Sequence, residues 1–270
     1  MNYQKANSER FKLAYKLAQT AGELIIAGRK NNSFEQSYKN HNELVTSIDQ
    51  QVDDFLISEL KSHFTEDQFL TEESYIPGQD EFDYTSPTWV IDPIDGTVNF
   101  ALGHPQVAVS IAYVEKNEVQ FGIVHCPFLN ETFYAIKDEG AFLNQVPIKV
   151  SECDDLSNAL VATGLPYDKS TIQNLLPNIN TIITHARDIR RNGSAAIDLC
   201  WVACGRLQAY FETVQPWDMA AGTLIAKEAG AYTGHYGDQI QDSDLIPDLM
   251  SKQLLISVPT IHPQLQELLK

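Results

Sequence analysis

Apolar residues recur at helical spacing from Phe11 through Ala14, Leu17, Ala18, Ala21, Leu24 and Ile25, which predicts an amphipathic helix over residues 7–29. Residues 31–42 are polar, rich in Asn, Ser and Gln, and read as a loop. Ile48, Val52, Phe55, Leu56 and Leu60 then share one face of a second helix. Thr46 or Ser47 is its candidate cap, and Asp49 falls in its first turn. Phe69-Leu70-Thr71 is a short apolar push that ends in Glu72-Glu73-Ser74, and residues 75–87, with Pro77-Gly78, read as a loop or flap. Trp89-Val90-Ile91 runs into Asp92-Pro93. Proline has no N–H for a central strand, so the strand is expected to end there, with Asp92 at its edge and Asp95 in the turn.

Short β-branched and aromatic runs follow over residues 107–114, 118–126 and 132–136, the pattern of an antiparallel meander, with a further hairpin over 141–144 and 148–150. Residues 151–157 are acidic and polar. A domain boundary is expected there, between an N-terminal α+β domain (1–150) and a C-terminal α/β domain (151–270). Beyond it strands and helices alternate: strand 159–163, helix 172–186, helix 193–204, strand 208–211, helix 218–229, a short strand near Ala231-Tyr232 and a last strand over 254–258.

Composition narrows the function. The chain has 270 residues and a formal net charge of −17, which disfavours a protein that grips nucleic acid by its phosphates. A phosphate ligand would need a cation to offset that field. The cysteines Cys126, Cys153, Cys200 and Cys204 form no CxxC pair, and His104, His125 and His185 lack metal spacing. Free thiols, a polar N-terminus without an apolar signal core and no membrane-length apolar run together predict a cytoplasmic chain.

The candidate chemistry lies in the acids Asp49, Glu72, Asp92, Asp95 and Asp218. Each has a plain local alternative. Asp49 could serve only the helix dipole, the Glu72-Glu73 pair could be a solvated loop, and Asp218 stands where a helix N-cap belongs. Together they make a hard oxygen set suited to Mg²⁺, Mn²⁺ or Ca²⁺ and to phosphoryl transfer. If Gly96-Thr97 open a helix, the N–H groups after Asp95 would cradle a phosphate. The strand-DxDGT motif of the haloacid-dehalogenase phosphatases needs two acids two residues apart, whereas Asp92 and Asp95 are three apart. An EF-hand is excluded by its missing alternate acids and by Leu102 at the position of its Glu.

The blocks Leu44-Val45-Thr46 with Asp49, Glu72-Glu73-Ser74, Asp92-Pro93-Ile94-Asp95-Gly96-Thr97 and Pro216-Trp217-Asp218-Met219-Ala220-Ala221-Gly222, in this order, resemble the inositol monophosphatase family. That family belongs to the lithium-sensitive, Mg²⁺-dependent phosphatases that include fructose-1,6-bisphosphatase. The resemblance implies a layered αβαβα sandwich and hydrolysis of small phosphate monoesters by direct attack of water. Glu72, Asp92 and the Ile94 carbonyl would hold one metal ion; Asp92, Asp95 and Asp218 would hold another. Two or three Mg²⁺ per site are implied, with Mn²⁺ an alternative and Ca²⁺ and Li⁺ inhibitory. Asp49 and Thr97 would orient and deprotonate the water. Gly96 and Thr97 amides would meet the phosphate, and Asp95, Gly193, Ser194, Ala195 and Glu212 the alcohol. A homodimer is implied, with no membrane partner. Bacterial relatives extend to fructose 1,6-bisphosphate or NADP phosphates. A 3′(2′),5′-bisphosphate nucleotidase or a catalytically silent ligand-binding regulator are the alternatives. Three departures stand out: Thr71 where many members have Gly, Val98 in place of a second Thr, and a connection from Glu212 to Asp218 one residue shorter than usual. Arg190 and Arg191, ahead of Gly193, face the site, support a dimer edge or form a plain surface pair; Arg206 is a further candidate.

Overall fold

The computed structural model describes residues 3–31, 34–39, 43–76, 82–166, 168–237 and 246–270. The tip of the 75–87 flap, including Pro77-Gly78, lies outside the described residues. In chain order, helix α1 (Tyr3–Asn31) leads to a hairpin of β1 (Gln36–Lys39) and β2 (Glu43–Thr46), then to α2 (Ser47–His63) and β3 (Gln68–Thr71). The strand at 36–39 corrects the expectation of a loop. Its polar residues are held by ladder bonds to Leu44-Val45-Thr46, a cross-strand fact that local polarity does not report.

Next come β4 (Thr88–Asp95), α3 (Thr97–Leu102), β5 (Ala108–Glu115), β6 (Glu118–Cys126), β7 (Glu131–Ile136), β8 (Gly140–Leu143) and β9 (Val146–Pro147). They form a seven-stranded sheet with order β3-β4-β5-β6-β7-β8-β9, antiparallel except for the parallel pair β3-β4. The expected meander is there. The second strand of its last hairpin, however, is Val146–Pro147, with residues 148–150 outside any strand. The rest of the chain is β10 (Leu160–Thr163), α4 (Ile172–His185), β11 (Asp188–Arg190), α5 (Ala195–Ala203), β12 (Ala209–Glu212), α6 (Pro216–Glu228), β13 (Tyr232–His235), β14 (Leu254–Ser257) and α7 (His262–Leu268). A five-stranded sheet of order β11-β10-β12-β14-β13 mixes parallel and antiparallel pairs.

The layers stack as αβαβα. Helices α1 and α2 cover one face of the large sheet, α5 and α6 lie between the two sheets, and α4 and α7 cover the outer face of the small one. This explains why all eight residues of β4 are buried: α2 packs on one of its faces and α6 on the other. Trp89, Ile91, Ile94 and Phe100 belong to the core under α1 and α2, whereas Val90 joins the core shared with α5 and α6. Each such side chain contributes about 1.5–3 kcal/mol by leaving water. Arg10 reaches from α1 to Asp67 with two bonds, at 2.9 and 2.8 Å, and the Trp89 indole N–H donates to the same carboxylate at 3.0 Å. That contact ties α1 to the strand that carries Asp92, and it makes Trp89 a packing residue.

Among the described residues, no helix is long and apolar enough to cross a membrane. All four cysteines are free.

Candidate active site

β4 runs through Pro93 to Asp95, which corrects the expectation that it stops at Asp92. Its pairing with β5 shifts between Asp92, opposite Ser110, and Asp95, opposite Ala108. The irregularity takes Pro93 out of the ladder, so its missing N–H costs nothing there. The Ile94 N–H donates to Asp92 Oδ1 at 3.0 Å and closes the bulge on the acid itself. Gly96 follows with φ +97°, and a Cβ there would lie 2.7 Å from the Gln106 carbonyl oxygen, so only glycine fits this turn. Gly96 is the cap residue of α3, which places the Gly96 and Thr97 amides at the helix start, as the sequence suggested.

Asp49 arrives from α2. Its Oδ2 accepts the Thr46 N–H at 2.9 Å and the Thr46 hydroxyl, closing a capping box, while Oδ1 accepts the Thr97 hydroxyl at 2.9 Å. Asp49 therefore serves its own helix start with one oxygen and the DPIDGT turn with the other. The Thr97 hydroxyl also lies 3.1 Å from the Ile94 carbonyl. Burial raises the Asp49 carboxyl above its ordinary range, against the lowering effect of these donors.

Asp218 is the third residue of α6, not its N-cap. Pro216 starts the helix two residues earlier than expected, and Gln215 is the cap, because proline fits a first turn that needs no N–H. Asp218 Oδ2 accepts the Gln215 N–H at 2.8 Å, so it completes a capping box and faces the acids of β4. Carboxylate oxygens of Asp92, Asp95 and Asp218 all lie within 4.8 Å of one another. Burial first, then the charges of Glu72, Asp95 and Asp218, push the Asp92 carboxyl well above its usual range. Burial and the charge of Asp95 push Asp218 up to about 8. Glu72 sits in the turn after β3, and its N–H donates to the Ile91 carbonyl at 3.1 Å. That bond sets it beside Asp92.

Asp95 is held by the start of α5. Its oxygens accept the Ser194 hydroxyl at 2.5 Å, the Ala196 N–H at 2.7 Å and the Ala195 N–H at 3.2 Å. Burial raises its carboxyl to about 6 against these donors and the nearby Arg191 charge. Ser194 and Ala195 thus meet Asp95 directly, and Gly193 stands beside them with its carbonyl 3.3 Å from the Asn99 side-chain amide. Glu212 ends β12. It accepts the Tyr210 hydroxyl at 2.6 Å, and a Cβ at Gly164 would collide with its carboxyl, so that glycine keeps its place open. Burial raises Glu212 to about 7, the Tyr210 bond and the Arg191 charge lower it, and the Asp95 charge raises it. The shortened connection to Asp218 therefore leaves Glu212 within electrostatic reach of Asp95 and Asp218.

Four residues at the site escaped the sequence reading. The Asn99 amide donates to the Gln106 and Asn192 carbonyls at 2.7 and 2.9 Å, stitching the β4 turn to the α5 loop. The Asn192 amide donates to buried Asp198 at 2.6 Å, and Tyr210 orients Glu212. Asn99, three residues past Gly96 in a DGTxN run, carried a usable signal; Asn192, Asp198 and Tyr210 carried none. Arg190 pairs with Asp188 at 2.6 Å on the surface and Arg206 with Glu131, whereas the charge of Arg191 acts on Asp95 and Glu212.

The donor set fits a hard divalent cation. It is all oxygen, from three clustered carboxylates with Glu72 adjacent, and their mutual repulsion is what a cation would relieve.

A profile of the inositol monophosphatase family matches residues 6–270. Inositol monophosphatase 1 of Solanum lycopersicum is 40% identical over 223 residues, 81% of this chain and 81% of its own. Nus factor SuhB of Pasteurella multocida is 37% identical over 222 residues, 81% of this chain and 82% of its own. The solved structure of the Thermotoga maritima IMPase is similar with a TM-score of 0.83 at 32% identity, over 96% of each chain.

Proposed function

Because the chain belongs to the inositol monophosphatase family, we propose that it hydrolyses small phosphate monoesters, with Mg²⁺ as its metal, by direct attack of water. The observation that carries this reading is the Asp49–Thr97 pair standing at the same turn as the cluster of Asp92, Asp95 and Asp218. Glu72, Asp92 and the Ile94 carbonyl would hold one ion, and Asp92, Asp95 and Asp218 another. Bound there, Mg²⁺ would neutralise phosphoryl oxygens and make water a better nucleophile near neutral pH.

The chain's own residues do the remaining work. The Thr97 hydroxyl donates its hydrogen bond to Asp49, so a lone pair on the Thr97 oxygen is left to accept a hydrogen bond from an incoming water. As the water attacks, its proton passes to the Thr97 oxygen while the Thr97 proton passes to Asp49 Oδ1, whose basicity is raised by burial. The Gly96 and Thr97 amides meet the phosphate. Asp95, with Ser194 and Ala195 on its oxygens, and Glu212 orient the leaving alcohol, and inositol phosphates are the substrates we put first. Fructose 1,6-bisphosphate and NADP phosphates are the wider substrates we include.

Phosphate release should be measured on inositol 1-phosphate, fructose 1,6-bisphosphate, NADP and adenosine 3′,5′-bisphosphate with Mg²⁺, with and without Li⁺. Release from the first, suppressed by Li⁺, supports the reading, and preference for the last selects the nucleotidase alternative. No release from any of them overturns it in favour of a ligand-binding regulator. That second reading draws on the name Nus factor carried by similar proteins.

A further inference from the structure

Asp53 lies one helical turn after Asp49, on the same face of α2, and is 2% exposed. A carboxylate so buried costs stability unless donors meet it. Two donors come from the turn that bears Glu72. The Ser74 hydroxyl donates to Asp53 Oδ2 at 2.7 Å, and the Thr71 hydroxyl donates to the same oxygen at 3.1 Å. The turn is tied within itself as well. The Ser74 N–H donates to Thr71 Oγ1 at 3.2 Å, and the Tyr75 N–H to the Thr71 carbonyl at 3.0 Å. Thr71 is fully buried, and Glu72 sits between the two clamped residues with its backbone fixed to Ile91.

We propose that Asp53 is a positioning residue for the metal site: by gripping Thr71 and Ser74 it holds the turn that aims Glu72 at Asp92. Two acids one turn apart on α2 then serve the two halves of the site, Asp49 through Thr97 and Asp53 through the Glu72 turn. The Thr71 hydroxyl is an arm of this grip that a glycine at the same position lacks. The proposal rests on the assignment of Glu72 as a metal ligand. Groups that hold a ligand in place typically change metal affinity by about 10–100-fold when removed.

The test is calorimetric binding of Mg²⁺, and of Mn²⁺ as a probe with stronger signal, to the full chain, beside a melting curve of each metal-free variant. Asp53→Ala is expected to weaken binding by about 10-fold or more, while turnover at saturating metal stays near wild type. Asp53→Asn keeps the shape and an oxygen acceptor for both hydroxyls and is expected to restore affinity to within about 3-fold, whereas Asp53→Leu fills the space without an acceptor and is expected to stay as weak as Asp53→Ala, a difference that packing alone would not give. The double change Thr71→Val with Ser74→Ala removes the donors instead and is expected to match Asp53→Ala; it serves if Asp53→Ala does not fold. Unchanged affinity in a folded Asp53→Ala, or in the double variant, overturns the proposal. Wild-type metal binding without phosphate release would overturn the phosphatase reading and leave this one intact.

Discussion

The Thr97 hydroxyl donates to Asp49 at 2.9 Å across 48 residues of chain, joining the start of α2 to the start of α3. Asp49 is held on its other oxygen by the Thr46 N–H, so the pair is rigid from both sides. A group whose second oxygen is already committed presents the first in one direction, the arrangement a proton acceptor needs.

Removing either partner should therefore lower kcat and leave binding in place. Thr97→Val keeps the shape of the side chain and loses the hydroxyl; Asp49→Asn keeps an oxygen but not the charge. Each is expected to reduce kcat by about 10²–10⁴-fold, with KM and the Mg²⁺-induced rise in Tm near wild type. Steady-state kinetics beside thermal melts check this, and a kcat within about 3-fold of wild type for both would remove the pair from the mechanism.

Asp218→Asn tests the cluster. Asn keeps an acceptor for the Gln215 N–H, so the helix cap survives while one of three crowded charges goes. In a chelator the variant is expected to melt at or above the wild-type temperature, because burial and like charge both disfavour the ionised Asp218. With Mg²⁺ it should lose the stabilisation that ligand binding confers on the native state. A Mg²⁺-induced shift equal to wild type contradicts the assignment.

The metal-free protein should lose stability as pH rises. Asp95, Glu212 and Asp218 are raised in the folded chain to about 6, 7 and 8 from ordinary values of 3.8, 4.5 and 3.8. Between the two sets of values the folded state holds more protons than the unfolded one, so unfolding becomes easier from about pH 4 to pH 8. At Asp95 and Asp218 protons and Mg²⁺ would compete for the same oxygens, so the Mg²⁺-induced rise in Tm should grow over the same range. Melting curves in chelator from pH 5 to 9 read the first effect; a profile that climbs with pH runs against it.

Gly96→Ala probes the turn. With φ at +97° and a carbonyl 2.7 Å from where the methyl would sit, the change is expected to cost about 1–3 kcal/mol. On a chain of this size that lowers Tm by about 2–4 °C per kcal/mol. An unchanged Tm would mean that the 96–106 contact relaxes freely.

Glu212→Gln separates binding from chemistry. Gln keeps an acceptor for the Tyr210 hydroxyl, but loses the charge offered to a substrate hydroxyl. KM for inositol 1-phosphate is expected to rise about 10-fold, since a hydrogen bond to a charged group is worth about 1.5 kcal/mol or more. KM for a small aryl phosphate should stay within about 2-fold, because it offers no hydroxyl to lose. Equal changes for both substrates would move Glu212 out of the alcohol site.

What the sequence by itself determined is what is local or repeats along the chain. The periodicity of Phe11 to Ile25 places α1, the alternating β-branched runs place β5 to β7, and the four acidic blocks, being contiguous, mark Asp49, Glu72, Asp92, Asp95 and Asp218 before any contact is known. Tertiary structure decided everything that depends on a partner. The strand at 36–39 exists because residues 43–46 pair with it. β4 continues past Pro93 because a bulge against β5 frees that residue from the ladder. Asp218 is a third helical residue rather than a cap because the helix begins at Pro216. Asn192, Asp198 and Tyr210 join the site only because α5 and β12 converge on the β4 turn. A hydrogen bond between residues tens of positions apart leaves no periodic trace in sequence, since its energy depends on where the chain has already been folded to lie.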